Sequence, residues 1–179
     1  MSHLTYAQLL DSANQESLAV KEVSLSTHDG LIRDKCIAIR KDIPTQAKKA
    51  CVLAEELGHH YTSAGNILDQ SKTENIKQER KARMWAYNKQ IGLSGILSAY
   101  QYGCRNLHEM AEHLDVTETF LKDALNAYLL KYGKCTVVDN YMIFFEPLGV
   151  VDMNYGIEEV FIMMYPFMKT MIQKSFILK

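Results

Sequence analysis

Two long helical segments joined by a short polar loop constrain this chain more than any other feature in it. Pro44 suits the first turn of a helix, where its missing amide hydrogen costs nothing, and the helical pattern runs to about Ser63. Gly65 and Asn66 end it. A polar loop from Asn66 to Lys72 follows, then a second helical pattern from Thr73 to Ile91 that carries Glu79, Ala82, Trp85 and Ala86. So short a connection folds the second helix back antiparallel on the first.

The first helix contains Leu53-Ala54-Glu55-Glu56-Leu57-Gly58-His59-His60. This is the HExxH pattern of zinc proteases with Glu55 where the first histidine belongs. In HExxH, two ligands four residues apart share one helix face and hold the ion, and the glutamate between them activates water. Cys51, Glu55 and His59 form such a row, and Glu56 is displaced from it by about 100°. A carboxylate oxygen also ligates zinc, so Glu55 and His59 remain a plausible pair of donors.

A third ligand must come from elsewhere, and Glu79 on the returning helix is the best candidate. Two carboxylates and one imidazole make a harder site than two histidines and a glutamate, one that admits manganese or iron as well as zinc. Two plainer readings stand beside this one. EExxH arises by chance in many helices, its acidic residues simply facing water. Glu56 and His60 are also four apart, which offers a rival register. Cys51 reads as core packing one turn below, and His60 as a rim or half-buried neighbour.

Before the motif, Leu4 to Ser12 reads as a short helix. Leu18 to Leu25 and Leu31 to Ile43 read as two or three antiparallel strands, with a hairpin turn at His28-Asp29-Gly30. After Gly92 come three short helical patterns, Leu93 to Tyr102, Asn106 to Leu114 and Thr117 to Tyr132, the last ended by Gly133. Cys135 to Phe145 reads as a strand pair broken at Asp139-Asn140 and closed by Glu146-Pro147-Leu148-Gly149.

Asn106 to Leu121 has the cadence of a helix-turn-helix, with Thr117 capping its second helix. A DNA reader places Arg, Lys, Asn or Gln at the start of that helix. This chain places Glu118, Thr119, Lys122 and Asp123 there. Between Gly103 and Lys134, Arg105, Lys122, Lys131 and Lys134 are outweighed by Glu109, Glu112, Asp115, Glu118 and Asp123. Phosphates would be repelled, so no direct nucleic-acid partner is expected. The net charge of −1 gives no general pull toward nucleic acid or an anionic membrane either.

The Leu-Ala-Glu-Glu-Leu-Gly-His-His stretch, followed on the next helix by Glu79-Arg80-Lys81-Ala82-Arg83-Met84-Trp85-Ala86, resembles the ImmA/IrrE family of metallo-endopeptidase-like proteins. The family's second segment is E-x-x-A-N-x-F-A. Glu79 and Ala82 match it, Trp85 stands for the aromatic, and Arg83 replaces the asparagine. The likeness spans roughly residues 1 to 150. It implies Glu55, His59 and Glu79 around Zn²⁺ and Glu56 as general base, with a helical module beside the protease core. It further implies a helix-turn-helix repressor of a mobile element or phage as the protein cut, or triggered to be cut. The missing histidine leaves open the alternative of a non-catalytic regulator that docks on such a repressor.

The fold expected is α+β: a zincin-like core over residues 1–91 with a small antiparallel sheet and the two motif helices, a helix-turn-helix-like module over 92–134 and a β-ribbon over 135–155. An apolar, Met-rich tail over 156–179 reads as a segment laid on the core or as a docking surface. Neither a signal peptide nor a stretch of the roughly 20 apolar residues that span a membrane is visible. The scattered cysteines, with no CxxC pair, read as buried free thiols of a cytoplasmic protein.

Overall fold

The structure is a computed structural model that describes residues 4–62 and 72–154. The chain divides into two compact units, Met1–Ala124 and Leu125–Lys179.

In the first unit, α1 (Tyr6–Gln15) starts at a capping box in which Thr5 and Gln8 satisfy each other's backbone amides. Strands β1 (Ala19–Val23), β2 (Gly30–Arg33) and β3 (Cys36–Arg40) form one sheet in the order β1-β3-β2. Ile37 and Ile39 of the central strand are fully buried.

The expected all-antiparallel sheet is corrected here, because β1 pairs parallel with β3 and only β2 is antiparallel to it. The hairpin lies at Asp34-Lys35, where Arg33 faces Cys36 and Asp34 adopts φ 53°. Asp tolerates that left-handed conformation, which a two-residue hairpin loop needs. The turn at His28-Asp29-Gly30 has another use. Asp29 takes Arg40 Nη2 at 2.7 Å and Lys48 Nζ at 2.9 Å, tying the start of β2 to the end of β3 and to the following helix.

That helix, α2 (Gln46–Thr62), begins after Thr45, whose hydroxyl accepts from the Lys48 amide. It packs on α3 (Lys72–Gln90) through small residues: Ala54, Ala82 and Ala86 are fully buried. Gly58 lies directly under the Ala82 carbonyl; a Cβ there would land on its oxygen and sit 2.9 Å from its carbon. At its far end the stacked rings of Tyr61 and Trp85, 4.7 Å between centroids, hold the pair together. The loop expected from Asn66 to Lys72 falls outside the described residues, except that Lys72 already belongs to α3.

Buried Lys49 joins the layers, with its Nζ 2.6 Å from Glu22 Oε2 on β1. Tyr6 of α1 donates to the other oxygen of Glu22 at 3.1 Å. The Lys49 hydrogen bond lowers the Glu22 pKa, while burial, aided by Glu22, pushes Tyr6 up to about 12.

Next come α4 (Gly92–Tyr102), α5 (Leu107–His113) and α6 (Glu118–Tyr132). Asn106 caps α5, and Thr117 caps α6 by accepting from the Phe120 amide. Met110, Ala111, Leu114, Phe120 and Leu121 are buried, as their helical spacing predicts. Glu118, Thr119, Lys122 and Asp123 are exposed.

The second unit contains the later part of α6 and a meander of β4 (Cys135–Val138), β5 (Tyr141–Phe145) and β6 (Leu148–Asp152), each antiparallel to the next. The predicted strand pair is thus three strands. Pro147 ended the pattern in sequence because proline cannot sit inside a ladder. Here Glu146 and Pro147 are only the two-residue turn, with Phe145 facing Leu148. Tyr128, Tyr132 and Phe145 cluster with ring centroids about 6 Å apart.

All four cysteines are free, but only Cys51 is buried, so the reading of them as buried thiols is corrected for Cys36 and Cys135, which are exposed. Cys36 and Cys135 both open strands that flank tight connections, where an apolar pattern does not ensure cover. No described helix is long and apolar enough to cross a membrane. The apolar tail expected over 156–179 lies outside the described residues.

Candidate metal centre

Helix geometry and the close α2–α3 approach assemble the site. Glu55, Glu56 and His59 lie on the second half of α2, and Glu79 reaches toward them from α3. His59 Nε2 is 3.3 Å from Glu79 Oε2. The other oxygen of Glu79, Oε1, receives Arg83 Nε at 2.7 Å from one turn further along α3.

Glu55 is half-buried, and its pKa is raised, chiefly by burial, with Glu79, Asp123 and Asp29 adding to the rise and Arg83 opposing it. Glu56 rises further, to about 7, through burial and the neighbouring charges of Glu55 and Glu79. The Ile32 backbone N–H donates to Glu56 and opposes that rise. Gly30 on β2 makes room for the same side chain: a Cβ there would sit 2.7 Å from Glu56 Oε1 and from Val52 Cγ1. A carboxyl group raised toward neutrality by burial, and oriented by a strand N–H, has the properties a general base needs.

Among the described residues, no three His, Cys, Asp or Glu side chains converge closely enough to hold a metal ion. The donor set nevertheless fits one in kind. An imidazole nitrogen and two carboxylates are ligands for zinc, manganese or iron, and the crowded carboxylates favour a cation.

The family model described as the IrrE N-terminal-like domain, Peptidase_M78, matches residues 13–126. The chain belongs to this family. The match runs from within α1 into α6 and so includes both motif helices, though it is shorter than the stretch 1–150 over which the resemblance is drawn. No curated protein and no solved structure matches the chain. As a Peptidase_M78 member the protein is metallopeptidase-like, which accords with the residues gathered between α2 and α3.

Cys51 packs in the core, its thiol pushed up to about 12 by burial against hydrogen bonds from Thr117 that act to lower it. His60 lies edge-on to Tyr61 at the rim, with centroids 5.2 Å apart. Sequence reasoning noted Arg83 as one of the basic residues of a solvated helix face and as a departure from the family pattern, not as a partner of Glu79. Its i,i+4 spacing from Glu79 was the available signal that it is an ion-pair partner. Gly30 and Gly58 carried no signal, because what they make room for lies on other elements.

Proposed function

We propose that this protein is a metal-dependent endopeptidase. Glu55, His59 and Glu79 would hold the ion, zinc first and manganese or iron as alternatives. The ion would polarise the scissile carbonyl and help acidify water. Glu56 takes the proton from the attacking water and passes it to the leaving amine. Ile32 N–H and the space over Gly30 hold its carboxylate in place for both transfers. The observation that carries this reading is the apposition of the Glu55-Glu56-His59 face of α2 to Glu79 of α3 in a Peptidase_M78 domain. The substrate proposed is a helix-turn-helix repressor of a mobile element, cut inside the cell, with no nucleic acid bound directly by this chain.

One observation favours a second reading. Arg83 already neutralises Glu79, which suits a regulator that kept the fold, lost tight metal binding with the first histidine and docks on the repressor without cutting it.

The test is metal content of untagged protein purified without chelator, measured by plasma mass spectrometry beside His59→Ala and Glu79→Ala. The peptidase reading expects near-stoichiometric metal that falls in both variants, and a Glu56→Gln protein that keeps its metal but does not cleave. A protein that stays empty when zinc is added would remove the peptidase reading in favour of docking.

A further inference from the structure

A half-buried group of three carboxylates is unstable without a cation, and this chain carries one of its own. Arg83 lies one turn along α3 from Glu79 and binds its Oε1 at 2.7 Å, while Oε2 faces His59 Nε2 at 3.3 Å. The guanidinium charge also reaches Glu55, where it is the main influence opposing ionisation cost. The Arg83 side chain is about half exposed, at 51%, so it can leave for solvent without opening the core.

We propose that Arg83 is a resident counter-cation that competes with the metal for Glu79, so that loading the site works against the Arg83–Glu79 pair. The inference rests on the metal-binding reading above. A guanidinium on one oxygen of a carboxylate and a dication on the other repel each other, so each weakens the hold of the carboxylate on the other. Arg83 thereby does two things. It stabilises the metal-free site, which would otherwise hold Glu55, Glu56 and Glu79 in mutual repulsion, and it lowers the affinity of the site. Occupancy then follows the free metal concentration over a higher range than three bare ligands would give.

The experiment is competition for Zn²⁺ between a chromophoric chelator and the full chain, comparing wild type, Arg83→Gln, Arg83→Lys and His59→Ala. Arg83→Gln is expected to bind Zn²⁺ at least about tenfold more tightly than wild type, and Arg83→Lys, which keeps the charge, to stay within about threefold of it. Equal affinity in wild type and Arg83→Gln, with binding lost in His59→Ala, would overturn this proposal and leave the metal site standing. Weaker binding in Arg83→Gln would overturn it too, showing that Arg83 orients Glu79 for the ion. Binding of Zn²⁺ by none of the proteins would remove the metal site itself, and this proposal with it. Circular dichroism of each variant checks that the half-exposed side chain was removed without loss of fold.

Discussion

Replacing Gly58 by alanine tests the packing on which the site depends. In an exposed helix interior Gly→Ala stabilises by about 1 kcal/mol, since alanine is the better helix former. At Gly58 the sign reverses. The new methyl would land on the Ala82 carbonyl oxygen, with the carbonyl carbon 2.9 Å and the Cα 3.2 Å away. All three atoms are backbone of α3, so no rotamer can give way and the helices must part. Overpacking of this kind costs typically 1–3 kcal/mol and sometimes more against rigid neighbours. Offset by the propensity gain, the net loss should be about 1–2 kcal/mol. Urea denaturation followed by the fluorescence of Trp85, the only tryptophan, reads this interface directly because Trp85 stacks on Tyr61 across it. The midpoint should fall with the m-value unchanged. If the site holds zinc as proposed, bound zinc should fall as well, because separating the helices moves His59 away from Glu79. An unchanged or raised midpoint would refute the close α2–α3 approach, and the placement of Glu79 opposite His59 would lose its basis.

Gly30→Ala should displace the Glu56 carboxylate and press on the buried Val52 Cγ1, at a stability cost of about 1–3 kcal/mol. If the protein is the proposed peptidase, cleavage should drop at least about tenfold while zinc content stays level, a split that separates placement of the base from metal binding. Glu22→Gln should destabilise at pH 7 by about 0.5–1 kcal/mol, a figure discounted for the 39% exposure of Glu22. Because the folded pKa of Glu22 lies below its usual 4.5, its contribution is present above that value and lost as pH falls through the folded pKa. Thermal melts of wild type and variant should therefore converge at low pH, and a constant gap would contradict the Lys49–Glu22 assignment. If the proposed metal bridges α2 and α3, chelation should lower the wild-type melting temperature and leave that of His59→Ala unaltered; an equal drop in both would place the ion elsewhere.

Much of the helical layout is legible in the residues because helices are specified locally. Thr117 marks an end by its capping hydroxyl and Gly133 by its left-handed backbone, while Pro44, read as part of the first turn, lies just before the Thr45 cap of α2; the apolar spacing of Met110, Leu114, Phe120 and Leu121 names the buried face. The motif spacing likewise puts Glu55 and His59 on one face of α2 whatever else the chain does. Strand partners are a different matter. Val20 and Val23 suit either sheet direction, and the parallel pairing of β1 with β3 is decided by how residues 24–29 carry the chain past β3. Pro147 concealed β6 because a turn and a strand end look alike in sequence.

The sequence by itself determined the family, the helix bearing Glu55, Glu56 and His59, and the candidacy of Glu79, since each follows from residue type at fixed spacing along one helix. Only the tertiary structure decided what surrounds them. That Glu79 is shared between His59 and Arg83, that Glu56 is held against Gly30 and Ile32, and that Gly58 admits the Ala82 carbonyl all depend on residues from separate elements meeting in space. The physical reason is one of range: helix periodicity and capping act over a few residues, whereas ion pairing and burial are set by whichever elements pack together.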